Sequence, residues 1–568
     1  MNVPFSRQTR SLTIIAQDPA VRLGGAILRA SVEVPHEILK DGLRGYRVHV
    51  IDYDTSTDTL YKSLSVEDDG DPFERASDVQ LLSDPKFHQQ NVYAIVMRTL
   101  ARFEAALGRR VPWGFRSHQI KVVPHAFADA NAFYAEEEEA LLFGYFQGRN
   151  GRVYCCLSHD VVAHETTHAL LDGVRERFTD PSSPDQAAFH EGFADVVALL
   201  SVFALPGIVG ALLQQGGQHV ASRVIAKKLT DRDALARSSL LGMAEQMGQE
   251  MPGLRGDVLG RSVRIRPSRK VLKSREYIEP HDRGEVLVAA LLNAFLDAWV
   301  TRLEKLGEMS SGFVDLSRVI EDGAEAADTL LTMVIRALDY LPPVDLEFSE
   351  FLSALLTADR EMRPNDTKYD FRRVLSERCR LYGIDPAAGT DNEGCWQPPL
   401  QKVDDSHTHF ESLQRSPEEM FRFIWDNRRP LELDKDRYTA EAYTNVPYVR
   451  PVMRVGSDGF VLRETVAEYT QFLELVPSEL RRMGIVVPKG MPADQQVKIY
   501  GGGTLIFDER GKLKFHVHNA LHDGERQSRR LQYLWEQGAF KPGASRMRGF
   551  ANLHRARAIN IRRPSEEW

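Results

Sequence analysis

The segment DVVAHETTHALLDG, from Asp160 to Gly173, holds the residues best suited to chemistry. His164 and His168 are four apart, so on a helix their imidazoles leave one face, one turn from each other. Two histidines at that spacing supply one edge of the tetrahedral set that zinc prefers, with N–Zn near ~2.0–2.1 Å. Glu165 directly follows the first histidine, which sets its carboxylate beside such an ion rather than on it. That is where a general base must stand to take a proton from attacking water. The five-residue pattern is short and also arises by chance on amphipathic helices, so the assignment needs a further ligand. Twenty-three residues after His168, FHEGFADVVALL carries Glu191 and, four positions on, Asp195. A glutamate on a second helix completes a His₂Glu set and leaves one coordination position open, as catalytic rather than structural zinc requires. Asp195, one turn from Glu191 on the same face, can accept the second N–H of a ligand histidine and fix its tautomer.

The elements that must position these groups follow from periodicity. The first ~80 residues read as strands, among them SLTIIA, AILRASVEV and YRVHVIDYD, bounded by Gly, Pro and Asp. From Pro85 to Arg109 the pattern becomes helical, with Val92, Ile95, Val96 and Leu100 at steps of three and four. Strands return at QIKVVPHAF and ALLFGYF, and helical periodicity then dominates from Ser158 to about Gly383. The apolar run Val196 to Leu213 approaches the length of a membrane span. Pro206 interrupts it, which indicates a core helix broken at that proline. The expected class is α+β. It divides into a β-rich region (1–84), a zinc-binding lobe (85–210), a helical lobe closing the cleft (211–385), a Pro- and Asp-rich linker (386–440) and a mixed C-terminal accessory unit (441–568). The accessory unit contains the hairpin TLIFDERGKLKFHVH and ends in a basic tail.

Composition narrows the function classes. The chain has 568 residues, of which 43% are hydrophobic and 27% charged, enough apolar material for a large core. A net charge of −8 argues against a general nucleic-acid or anionic-membrane binder. Four cysteines are too few for a disulfide framework. With no secretory apolar stretch near the start, a cytoplasmic protein is expected, non-classical export being the alternative.

DVVAHETTH and HEGFAD resemble the two zinc motifs of the thermolysin-like peptidases, the gluzincins. The likeness extends over roughly residues 85–385. NAFYAEEEEALLFGYF, from Asn131, resembles the family's edge strand that binds substrate backbone, which implies Asn131 and Ala132 as substrate-binding residues. YIEPHDRGEVLVAALLNAF resembles the segment that delivers a downstream active-site histidine, which implies His281 as a catalytic residue. The resemblance implies a two-lobed core with zinc between the lobes, a peptide or protein substrate, and zinc-dependent endopeptidase activity with Glu165 as base. Two departures stand out. The family usually has a tyrosine between the second ligand histidine and the ligand glutamate, where this chain has Phe178 and Phe189 but no tyrosine. The acidic partner that would join Asp160 in a calcium site falls near Val202, so structural calcium is not expected.

Other features have simpler readings. Glu136 to Glu139 reads as a solvated turn, or else as a bias towards basic substrates. His516, His518 and His522 suggest a second metal site only weakly, for want of a carboxylate or cysteine cluster, and read as surface histidines. The basic stretch 525–568 reads as a solvated terminus, or else as a docking surface for an acidic protein partner or nucleic acid. The competing function is a catalytically idle gluzincin scaffold that binds a partner. The vacant tyrosine favours it, and the retained Glu165 argues against it.

Overall fold

The computed structural model describes residues 9–541, except 41, 67–69, 116, 149–150, 216–222, 236–261, 263–264, 309–311, 400, 405–408, 434–438 and 440. The basic stretch beyond Lys541 lies outside the described residues. The architecture is mixed α+β.

Strand β1 (Thr9–Ile15) pairs antiparallel with β2 (Arg29–Pro35). The next sheet contains β3 (Val48–Val50), β4 (Ile120–Phe127), β5 (Ala132–Ala135), β6 (Ala140–Gly148) and β7 (Gly151–Tyr154). Its order is β7-β6-β4-β3, with β5 laid against the first half of β6. Among the described strands β5 pairs with β6 alone, so its outer edge has no strand partner. Glu136–Glu139 form the exposed turn between them. Helix α1 (Pro85–Leu107) starts where Asp84 accepts from the Lys86 amide and Pro85 fills the first turn without wasting a donor. It stops at Gly108, whose φ of 67° is easily reached only without a Cβ.

Helices then dominate: α2 (His159–Val174), α3 (Pro184–Phe203), α4 (Pro206–Gln215), α5 (Pro280–Glu304), α6 (Leu316–Ala337), α7 (Phe348–Met362) and α8 (Phe371–Leu381). The apolar run from Val196 breaks between α3 and α4, with Pro206 opening the new helix as its fixed φ favours. The longest apolar helix is α5. It is long and apolar enough to cross a membrane, but 72% of that window is buried inside the protein. Helices α3 and α5 meet at a pair of glycines. A Cβ on Gly192 would lie 2.9 Å from the Gly284 carbonyl oxygen, and one on Gly284 would lie 3.0 Å from that of Ala188. Only hydrogen at these positions lets the two backbones touch, and the contact is one residue from Glu191 and three from His281.

A four-stranded antiparallel meander follows, β8 (Tyr443–Val455), β9 (Val461–Leu475), β10 (Val497–Asp508) and β11 (Leu513–Asn519), and a helix, Gly524–Glu536, comes after it. The meander's residues are shared among three hydrophobic clusters, one of them built on Leu475, Val497 and Ile499. Ile506, Phe515 and Val517 join the main core, while Leu505, Phe507 and Tyr469 face a smaller cluster with Met420, Phe423 and Ile424. Those last three lie on α9 (Pro417–Asp426), inside the stretch read from sequence as a linker. Its helical signals are a Ser416 cap, Pro417 and apolar residues at steps of three and four, and surrounding Asp and Pro masked them. Trp396, in the same stretch, donates its indole N–H to the Tyr340 carbonyl at 3.0 Å.

Buried charge ties the meander to the helices. Arg109 grips Asp339 with two bonds of 2.5 and 2.7 Å. Arg454, on β8, also reaches Asp339 and lies 2.5 Å from Glu464 on β9. Burial alone would raise the Asp339 pKa, but the two arginines outweigh it and hold the carboxyl well below the usual range. Arg175, just past α2, bonds Glu468 at 2.7 Å.

Candidate zinc and catalytic site

The site is assembled from α2, α3, the first turn of α5 and the outer edge of β5. On α2 the four-residue step puts the His164 and His168 rings 4.4 Å apart and nearly perpendicular. Each ring is held by its Nδ1. His164 Nδ1 lies 2.8 Å from Asp195 Oδ1, and His168 Nδ1 lies 2.8 Å from His190 Nδ1, with those two rings stacked. Both Nε2 atoms are thereby turned to Glu191, at 3.5 Å from Oε2 for His164 and 3.8 Å from Oε1 for His168. All three residues are buried, and one donor atom from each lies within 4.8 Å of the others. A tetrahedral ion with bonds near 2.0–2.2 Å would set its donors about 3.3–3.6 Å apart. Two imidazole nitrogens and a carboxylate so spaced fit zinc after small adjustment.

Glu165 is fully buried beside this set and accepts the Tyr134 amide at 3.1 Å. That amide belongs to β5, and the Tyr134 hydroxyl reaches on to Asp172 at 3.0 Å. Strand β5 is therefore stapled to α2 at two points on one face, about two helical turns apart. Burial pushes the Asp172 carboxyl up to about 7, with Glu136 adding to the rise and the Tyr134 hydroxyl opposing it. Asn131, just ahead of β5, is 2% exposed; its Oδ1 accepts the Ala132 amide at 3.0 Å, while its Nδ2 has no partner among the described residues.

His281 sits in the first turn of α5, with Nε2 3.5 Å from Glu191 Oε2 and Nδ1 2.9 Å from Glu279 Oε1. Glu279 caps that helix by accepting the His281 and Asp282 amides. Burial would raise the Glu279 pKa, but His281 and these amides together hold it below the ordinary value.

Of the site residues read from the sequence, His164, His168, Glu191, Asp195 and His281 are brought into one cluster, Glu165 stands beside it, and Asn131 and Ala132 lie at the start of β5, whose Tyr134 amide meets Glu165. Sequence reasoning missed three neighbours. His190 was signalled only by its place before Glu191, and Glu279 by the Glu-Pro start of α5. Tyr134 acts through a backbone amide, which side-chain chemistry does not reveal. Phe178 and Phe189, in the interval where a tyrosine would stand, pack edge to face on each other at 5.7 Å and belong to the core. The paired His516 and His518 rings stack at 4.2 Å, and His516 bonds the Tyr469 hydroxyl at 2.7 Å. Compared with known proteins, the chain matches no protein-family model, and no curated protein matches it by sequence.

Proposed function

We propose that the protein is a zinc-dependent endopeptidase with a two-lobed, thermolysin-like core. The observation that carries this reading is the convergence of His164, His168 and Glu191 beside Glu165, which is itself bonded to an edge strand. A structural zinc has no use for a buried glutamate alongside it. When bound, the zinc ion would polarise the scissile carbonyl and lower the pKa of water towards ~7.

The remaining work falls to the chain. A substrate peptide pairs with the outer edge of β5, main-chain bonds giving affinity and side-chain pockets selectivity. Asn131 Nδ2, buried and unpartnered among the described residues, donates to a substrate carbonyl. Glu165 takes the proton from the attacking water, holds it, and passes it to the leaving amine. The Tyr134 amide keeps that carboxylate aimed between the two. His281, oriented by Glu279, donates to the oxygen that gains charge.

The idle-scaffold reading rests on one observation, that the tyrosine interval supplies only core phenylalanines. A proteome-wide cleavage profile separates the two. Wild type is expected to generate new peptide termini that disappear with a chelator and with Glu165→Gln. Identical profiles for wild type, chelated protein and variant would leave the scaffold standing.

A further inference from the structure

A second group of metal-binding side chains lies away from the catalytic residues. His88 projects from the first turn of α1, His125 from β4, and Cys156 from the turn ahead of α2. All three are at most 1% exposed, and one donor atom from each lies within 4.8 Å of the others. The two imidazoles form part of a chain of four groups. Asp52 Oδ1 is 2.8 Å from His125 Nδ1, His125 Nε2 is 2.8 Å from His88 Nδ1, and His88 Nε2 is 3.2 Å from the Leu82 carbonyl oxygen.

Hydrogen counting along this chain is compatible with a metal ion between the two rings. With Asp52 ionised, both ends, a carboxylate and a carbonyl, only accept. The chain has three junctions, each needing one hydrogen, whereas two neutral imidazoles carry one each. If His125 donates to Asp52 and His88 donates to Leu82, the two inner nitrogens face each other with bare lone pairs. In that arrangement a cation between them would satisfy both lone pairs. A proton would bury an imidazolium, and it would leave the nearby Cys156 without a role.

We infer that His88 Nδ1, His125 Nε2 and the Cys156 thiolate hold a second zinc ion, separate from the His164–His168–Glu191 set. Imidazole and thiolate are the donors zinc favours. Each histidine would then direct its outer N–H to an oxygen, Asp52 for His125 and Leu82 for His88, the usual support of a zinc-bound histidine. On zinc the two inner nitrogens would stand about 3.3–3.4 Å apart, roughly half an ångström wider than the hydrogen-bond separation seen between them. Three protein donors leave one position for a water molecule. The ion would pin α1, the five-stranded sheet and the turn that launches α2 to one point. No ligand is shared with the catalytic set, so either site stands or falls without the other.

The test uses the full-length protein, purified without a metal-affinity tag. Elemental analysis is expected to give two zinc ions per chain, falling to one in Cys156→Ser, one in Glu191→Ala and none in the double variant. Cobalt replacement reads the second site alone, because the catalytic set has no sulfur. Cobalt-loaded protein should show a near-ultraviolet thiolate-to-cobalt band that survives Glu191→Ala and is lost in Cys156→Ser. Should Cys156→Ser fail to fold, a chain with Cys155, Cys379 and Cys395 replaced by serine serves instead, and retention of the band assigns it to Cys156. One zinc per wild-type chain, removed by Glu191→Ala, with no thiolate band in folded cobalt protein, would overturn the inference.

Discussion

At the scale of single residues, burial and hydrogen bonding compete to set protonation near the site. Asp172 is the clearest case, its carboxyl pushed up from 3.8 to about 7 chiefly by burial. A raised carboxyl keeps its proton in the folded state after the unfolded chain has lost it. Its contribution to stability is therefore complete below about pH 4 and is lost as pH rises to about 7, by at most about 4 kcal/mol. Asp172→Asn should remove that slope. Denaturant titrations of both proteins from pH 4 to 8 should show wild type losing ground to the variant as pH rises. Parallel curves would mean that Asp172 is ionised in the fold. Much at this scale was legible in the sequence, because i, i+4 spacing fixes which side chains share a helix face. The shared face of His164 and His168, and that of Glu191 and Asp195, needed no tertiary information. The His168–His190 contact and the Tyr134 amide on Glu165 did need it, since both depend on how two elements pack.

At the scale of elements, the α3–α5 crossing governs whether Glu191 and His281 share one site. The Gly192–Gly284 contact allows that crossing, and a side chain at Gly192 would press on backbone rather than on a flexible neighbour. Gly192→Val should wedge the helices apart, costing about 1–3 kcal/mol as overpacked interiors do. Hydrolysis should fall by more than the loss of folded protein explains. Melting curves and specific activity measured together check this, and a variant with wild-type values in both would show the crossing to be adaptable. Periodicity made the strands and most long helices readable, including the break at Pro206. It did not make the helix Pro417–Asp426 readable, because one short amphipathic turn sequence was outweighed by the Asp, Asn and Pro around it. Which elements touch was also hidden, since small residues such as Gly192 look alike whether they end a helix or face another.

At the scale of the molecule, the last four strands are part of the body rather than an appendage. Ile506, Phe515 and Val517 lie in the main core, and the Arg109–Asp339–Arg454–Glu464 network crosses from the helices to the meander. These charges are almost wholly buried, so removing one leaves others uncompensated. Asp339→Ala should cost about 3–5 kcal/mol in a denaturant titration. A loss below about 1 kcal/mol, the value of an exposed ion pair, would mean that solvent reaches the network. Sequence alone showed Arg454 and Asp339 as ordinary charges more than a hundred residues apart, with nothing to mark them as partners.

The central claim is that Glu165 is the general base of a zinc peptidase, and its conservative amide tests that most directly. Glutamine keeps the size of the side chain and the bond from the Tyr134 amide, and it removes the basic carboxylate. Single-turnover hydrolysis of one cleaved peptide, by wild type and Glu165→Gln at equal zinc occupancy, is the measurement. The expected result is a fall of at least ~10²–10⁴-fold with zinc and fold intact. A variant that cleaves as fast as wild type would contradict the assignment of the base, and with it the mechanism.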